Sequence, residues 1–186
     1  MYDSKIAARY AKSLLDLASE KGVLEEVHAD MQLFNRIGES NRDFALMLGN
    51  PIIHHDKKLS ILQKLFGGRI HSVTEAIFDI ITKKHREALL PGIAKEFHKQ
   101  YNALKGVESA EVITSFKLPE ELRNRFEQLV KETSGKNTVE LKEKVDPELI
   151  GGYILRIQDR QIDESLKSKL NKLKLEFSKN PYIKEY

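Results

Sequence analysis

The spacing of apolar residues changes at Gly106, and that change constrains the fold more than any other feature of the chain. Before Gly106 apolar residues recur every three or four positions, the period of a helix that buries one face. Ala7, Ala11, Leu14 and Ala18 form such a stripe, widened by Ile6, Tyr10 and Leu17. Leu24, Val27, Met31, Phe34 and Ile37 form the next. After Gly106 the period shortens to two: Val139, Leu141 and Val145 alternate with Glu140, Lys142 and Lys144, as in a half-buried strand. A single stripe cannot bury itself, so residues 1–105 are predicted to pack as a six-helix bundle. Residues 106–186 are predicted to form a small α/β domain of order β-α-β-β-α, which makes the whole chain α+β.

Local signals place the predicted elements. Ser4 is suited to cap the first helix and Gly22 to end it. Phe44, Leu46 and Met47 lie in a brief helix before Gly49-Asn50-Pro51. His55 or Asp56 opens a fourth, with Leu59, Leu62, Leu65 and Phe66 inward and Gly67-Gly68 as its stop. Ser72 is predicted to cap a fifth helix with Val73, Ala76, Ile77, Ile80 and Ile81 inward. Leu90, Ile93, Phe97, Tyr101 and Leu104 mark a sixth, whose first turn accommodates Pro91.

In the second half, Ala110, Val112 and Phe116 fit the inward face of a strand. Pro119-Glu120-Glu121 then starts a helix with Leu122, Phe126, Leu129 and Val130 inside, and Ser134-Gly135-Lys136-Asn137 is a turn. After Gly151-Gly152, the β-branched run Tyr153–Gln158 reads as a strand and Asp159-Arg160-Gln161 as a turn. Asp163 is placed to cap a last helix, whose face carries Leu166, Leu170, Leu173 and Phe177 at spacings of four, three and four.

Composition excludes several classes of function. Cysteine is absent, so disulfides and thiolate metal sites are excluded. No apolar run approaches the ~18 residues of a membrane span, and Met1-Tyr2-Asp3-Ser4-Lys5 does not open a secretory signal, so a cytoplasmic compartment is expected. Residues 1–105 carry 16 basic and 13 acidic side chains, and the remainder carry 15 of each. Neither half has the charge excess of a nucleic-acid footprint. A basic helical nucleic-acid-binding protein is the alternative reading. It rests on the pI near 8.9 and on Lys167, Lys169, Lys172, Lys174 and Lys179, which face only Glu176 in the last helix.

The residues offer no chemistry. The six histidines form no H-x-x-x-H or H-E-x-x-H pair, and the adjacent His54 and His55 diverge by about 100° on a helix, so no metal site is predicted. Gly67-Gly68-Arg69 and Gly151-Gly152-Tyr153 lack the spacing of a phosphate loop, so no nucleotide or other cofactor is expected. Glu25-Glu26 and Glu120-Glu121 stand near helix starts, where the helix dipole accounts for them. No G-x-S-x-G elbow is present.

Three stretches carry a family resemblance. Ala8-Arg9-Tyr10-Ala11-Lys12-Ser13-Leu14-Leu15-Asp16-Leu17-Ala18 is similar to an opening helix of the form R-Y-A-x-A-L-x-x-x-A. Asn50-Pro51 precedes a helix carrying Lys57-Lys58, and Gly151-Gly152 leads through Asp163-x-Ser165 to Leu170. In this order and spacing the chain resembles the delta subunit of F-type ATP synthase, whose mitochondrial relative is the oligomycin-sensitivity-conferring protein. Ser13 stands where the family often has Ala, and Glu164 where Gly is common. The resemblance implies a non-catalytic peripheral-stalk subunit on the cytoplasmic face of a bacterial plasma membrane, without membrane insertion. It implies that residues 1–105 bind the N-terminal helix of an alpha subunit and that residues 106–186 hold the b-subunit dimer. Helices one and five would line the alpha-subunit groove, through Ala7, Ala8, Ala11, Leu14, Val73, Ala76, Ile77 and Ile80. The last helix would meet the b subunits through Leu166, Lys169, Leu170, Lys172 and Leu173.

Overall fold

The computed structural model describes residues 2–178, so Lys179 lies outside the described residues. The described chain is a mixed α+β fold with eight α-helices and one four-stranded sheet. It divides into two compact units, Met1–Leu104 and Lys105–Tyr186.

The first unit contains α1 (Tyr2–Glu20), α2 (Leu24–Ser40), α3 (Arg42–Gly49), α4 (His55–Phe66), α5 (Ser72–Lys83) and α6 (Leu90–Lys105). Its core is one cluster, built on Ala7, Ala11, Leu14 and Ala18 of α1, Val27, Met31 and Phe34 of α2, and Leu90, Ile93 and Phe97 of α6. Phe34 is its aromatic centre, with ring centroids 5.2 Å from Phe78, 5.6 Å from Phe66 and 5.7 Å from Phe44. Such pairs add about 0.5–1.5 kcal/mol each beyond the area they bury. A 3-10 turn, Glu87–Leu89, runs directly into α6 and leaves Pro91 in the first turn of that helix, where its missing N–H costs little.

Several sequence expectations change here. Ser4 lies inside α1 rather than at its cap. The start of α5 is capped from outside the helix. His71 Nδ1 accepts from the Val73 amide, and buried Asp30 of α2 accepts from the His71 amide at 2.8 Å and the Thr74 hydroxyl at 2.7 Å. On α5 the inward residues are Val73, Phe78 and Ile81, whereas Ala76 and Ile80 face outward. The apolar arc of this helix is wider than its core contact, and Phe78 takes the central place that spacing had given to Ile77 and Ile80. Leu65 and Leu104 are exposed as well.

The second unit contains β1 (Val107–Thr114), α7 (Glu120–Ser134), β2 (Thr138–Val145), β3 (Tyr153–Ile157), β4 (Arg160–Asp163) and α8 (Leu166–Ser178). The sheet order is β2-β1-β3-β4, with β1 parallel to β2 and antiparallel to β3. The parallel pair requires a crossover, which α7 supplies. Ala110, Val112, Val130, Leu141 and Leu155 form the core between α7 and the sheet.

The predicted β-α-β-β-α order is therefore short by one strand. Arg160–Asp163 pairs antiparallel with β3, from Ile157↔Arg160 to Ile154↔Asp163, and closes a hairpin around Gln158-Asp159. A four-residue strand rich in polar side chains at a sheet edge carries little periodic signal. The cap of α8 moves with it: the Ser165 hydroxyl accepts from the Ser168 amide at 3.2 Å. Asp163 accepts from the Ser165 amide at 3.0 Å and the Ser168 hydroxyl at 2.7 Å. Phe116 lies beyond β1 and is exposed, as is Val145.

Candidate functional site

The predicted alpha-subunit residues divide by burial. Ala7, Ala11 and Leu14 of α1 and Val73 of α5 lie within the core of the first unit, so their side chains present no surface to a partner. Their small size serves internal packing: a Cβ on Gly92 of α6 would stand 3.5 Å from the Ala7 Cβ. Gln100 of α6 donates to the Ala8 carbonyl at 3.0 Å. Ala8 and Ile77 are half-buried, Ala76 is exposed, and Ile80 is 45% exposed. What remains of the predicted groove is thus the outer strip Ala76-Ile77-Ile80 of α5, one turn of helix long.

The predicted b-subunit residues behave differently. Leu166, Leu170 and Leu173 are all exposed, Leu170 at 56%, and Phe177 on the same face reaches 87%. No described side chain of α8 is buried. Polar contacts hold the first turn of the helix: its Ser165 cap, the Leu166 amide on the Gly151 carbonyl at 3.0 Å, and the Glu164 amide on the Tyr153 carbonyl at 2.9 Å. Hydrogen bonds from the Ser168 hydroxyl and the Ser165 amide hold the Asp163 carboxyl below its ordinary range. Gly152 explains the glycine pair. Its φ is +77°, and a Cβ there would lie 2.3 Å from the Glu164 carbonyl oxygen, so no side chain fits where α8 joins the sheet. Lys169 meets Glu164 at 2.8 Å and Lys167 meets Glu148 at 3.4 Å, so two of the lysines behind the nucleic-acid reading already have acidic partners.

A cleft of about 420 Å³ opens between α7 and the ends of β1 and β3, lined by Phe116, Leu118, Leu122, Phe126, Leu129 and Tyr153. Arg125 is its one charged lining residue.

Sequence reading missed the polar groups inside the first unit. Lys58 of α4 is buried and donates to Glu87 at 2.6 Å and to the Leu48 carbonyl at 3.0 Å. Burial pulls the Glu87 carboxyl upward. The Lys58 hydrogen bond and charge outweigh it, so the group sits below its ordinary range. Lys58 falls on the apolar phase of α4, between Leu62 and the loop, and a lysine on that phase is the signal that was available. His28 and His98 approach to 2.9 Å, and His28 stacks on Tyr101 at 3.7 Å. Burial and a hydrogen bond to Glu25 push the Tyr101 phenol up to about 12. Among the described residues, no group of three His, Cys, Asp or Glu side chains is arranged to hold a metal ion. No described helix is long and apolar enough to cross a membrane.

Comparison with known proteins shows the family. The family model described as ATP synthase delta (OSCP) subunit matches residues 6–177. The ATP synthase subunit delta of Cytophaga hutchinsonii is 42% identical over 178 residues, covering 96% of this chain and 97% of the relative. That of Amoebophilus asiaticus is 41% identical over 180 residues, covering 96% and 98%. A chain in the structure of the Toxoplasma gondii mitochondrial ATP synthase hexamer shares the fold, with a TM-score of 0.75 and 19% identity over 94% of this chain and 98% of that one. Nothing supports the nucleic-acid alternative. The chain belongs to the ATP synthase delta (OSCP) subunit family and is a structural, non-catalytic component of the peripheral stalk of an F-type ATP synthase.

Proposed function

We propose that the chain links the catalytic head to the membrane-anchored b subunits on the cytoplasmic face of a bacterial plasma membrane, and resists the torque of the rotor. In this reading α1–α6 act as one bundle, residues 1–105, that takes up the amphipathic N-terminal helix of an alpha subunit along the outer strip of α5. Residues 106–186 hold the b-subunit dimer through the exposed face of α8. The observation that carries the proposal is the unburied stripe Leu166, Leu170, Leu173 and Phe177. Fully burying one leucine-sized side chain contributes about 1.5–3 kcal/mol, so a helix that leaves four such groups in water is suited to a partner surface. Lys172 flanks the stripe and suits an acidic group at its rim, while Lys169 stands beside it paired with Glu164.

The test uses the full chain with purified b-subunit soluble domain and a synthetic alpha-subunit N-terminal peptide. Leu170→Asp with Leu173→Asp is expected to abolish b-subunit binding and to leave the peptide isotherm unchanged. Ile80→Asp is expected to do the reverse. These sites are exposed, so circular dichroism should match the parent chain. Undiminished b-subunit binding by the double variant refutes the assignment of α8.

A further inference from the structure

The register of the sheet leaves one end of its central strand half-supported. β1 pairs with β2 along its full length, from Val107↔Thr138 to Thr114↔Val145. Its pairing with β3 begins only at Ala110↔Ile157. Among the described residues, Val107, Glu108 and Ser109 therefore have a strand on one side only, and they are the residues by which the chain enters this unit from Gly106. Glu108, on the inward face, is 2% exposed. One of its carboxylate oxygens accepts from Lys136 Nζ at 2.8 Å and from Gln158 Nε2 at 3.0 Å. Lys136 stands in the turn that feeds β2. Gln158 is the first residue after β3 and is held at a φ of +50°, in the left-handed region. The carboxylate thus bridges the turns on both sides of β1, across the gap that the register leaves open.

We infer that Glu108 is a mechanical clamp: it ties the loaded end of β1 to both neighbours, so that tension entering at Gly106 shears the strand instead of peeling its first three residues. The inference takes its purpose from the stator reading above, but it concerns the isolated chain and stands or falls without any partner. The chemistry favours a clamp over a stabilising contact. Replacing a buried ion pair by an apolar group of similar volume is commonly neutral for equilibrium stability. An apolar contact is non-directional and yields gradually, whereas a hydrogen bond to a charged group weakens steeply once its distance and angle leave a narrow range.

The chain has no cysteine, so paired cysteines can carry DNA handles for optical tweezers without background. With handles at Lys105→Cys and Ser178→Cys, tension enters β1 at its clamped end. Glu108→Met removes both hydrogen bonds to the carboxylate and is expected to shorten the lifetime of this unit under constant force by about tenfold or more. With handles at Gln128→Cys and Ser178→Cys, which load the unit through α7, the same substitution should change the lifetime less than about twofold and the urea midpoint little, because Lys136 and Gln158 both reach solvent and are left with no buried charge between them. Equal shortening in both geometries would make Glu108 an ordinary stabilising residue and overturn the inference, as would no shortening in the first.

Discussion

Removing the Lys58 side chain tests how the first unit tolerates its buried charges. Lys58→Met keeps the volume and apolar contacts of the stem, removes the ammonium from Glu87 and the Leu48 carbonyl, and leaves buried Glu87 without its counter-charge. Breaking a buried pair from one side costs about 3–5 kcal/mol. With a urea slope of about 2 kcal/mol/M, the midpoint followed by circular dichroism should fall by about 1.5–2.5 M near neutral pH. The pH dependence supplies a second, signed readout. In the parent chain the Glu87 carboxyl lies below its ordinary range. Its contribution is therefore present above the unfolded value of about 4.3 and is lost as pH falls through the lower folded value. In Lys58→Met burial, the largest influence, is opposed only by a backbone hydrogen bond and the His85 charge, so the folded value rises. The variant should then lose stability as pH rises from about 4.3, and its deficit should be smaller at about pH 5.5 than at about pH 7.5. Lys58→Met with Glu87→Leu should recover most of the loss, because the two sites form one pair. A single-variant deficit under about 1 kcal/mol, or one that does not shrink in acid, would refute the reasoning.

Other perturbations have equally specific outcomes. Asp30→Ala leaves the Thr74 hydroxyl and the His71 amide without their acceptor and should destabilise the chain by about 2 kcal/mol in urea, given the worth of a cap and a charge-assisted hydrogen bond. Gly152→Ala adds a Cβ against the Glu164 backbone at positive φ and should prevent α8 from docking. Gly135→Ala, also at positive φ but with open space around it, should cost only about 1 kcal/mol; thermal unfolding separates the two. Tyr101 should ionise near 12 in an absorbance titration, above an ordinary tyrosine. Because that folded value is raised, the part of stability it carries should be lost as pH climbs from about 10.

The legible part of the fold follows from periodicity. Long helices with one apolar face declared themselves: Ala7, Ala11, Leu14 and Ala18 are all buried, as are Val27, Met31 and Phe34. The glycine pair at 151–152 marked a close backbone approach, which Gly152 makes. Where an apolar arc is wider than its core contact, spacing cannot choose the face; hence Ile80 and Ala76 of α5 turned outward and Phe78 inward. Polar residues that work inside the protein were not legible. Lys58, Asp30 and Glu108 find their partners, Glu87, Thr74 and Lys136, in distant stretches of the chain, which tertiary structure alone brings together. β4 was missed because its pairing with β3 stabilises a segment with little apolar content of its own. The apolar face of α8 was legible as a stripe, but only structure shows that the stripe stays exposed.

Hydrogen exchange of the full chain, free and within the assembled synthase, tests the account most directly. Amides of α8 from Leu170 to Ser178 and of α5 from Ala76 to Lys83 should exchange more slowly in the assembly. The buried interior of α1 around Ala11 should be equally protected in both states. Unchanged exchange in both α8 and α5, with new protection confined to other elements, would contradict the claim that this protein grips its neighbours through those two faces.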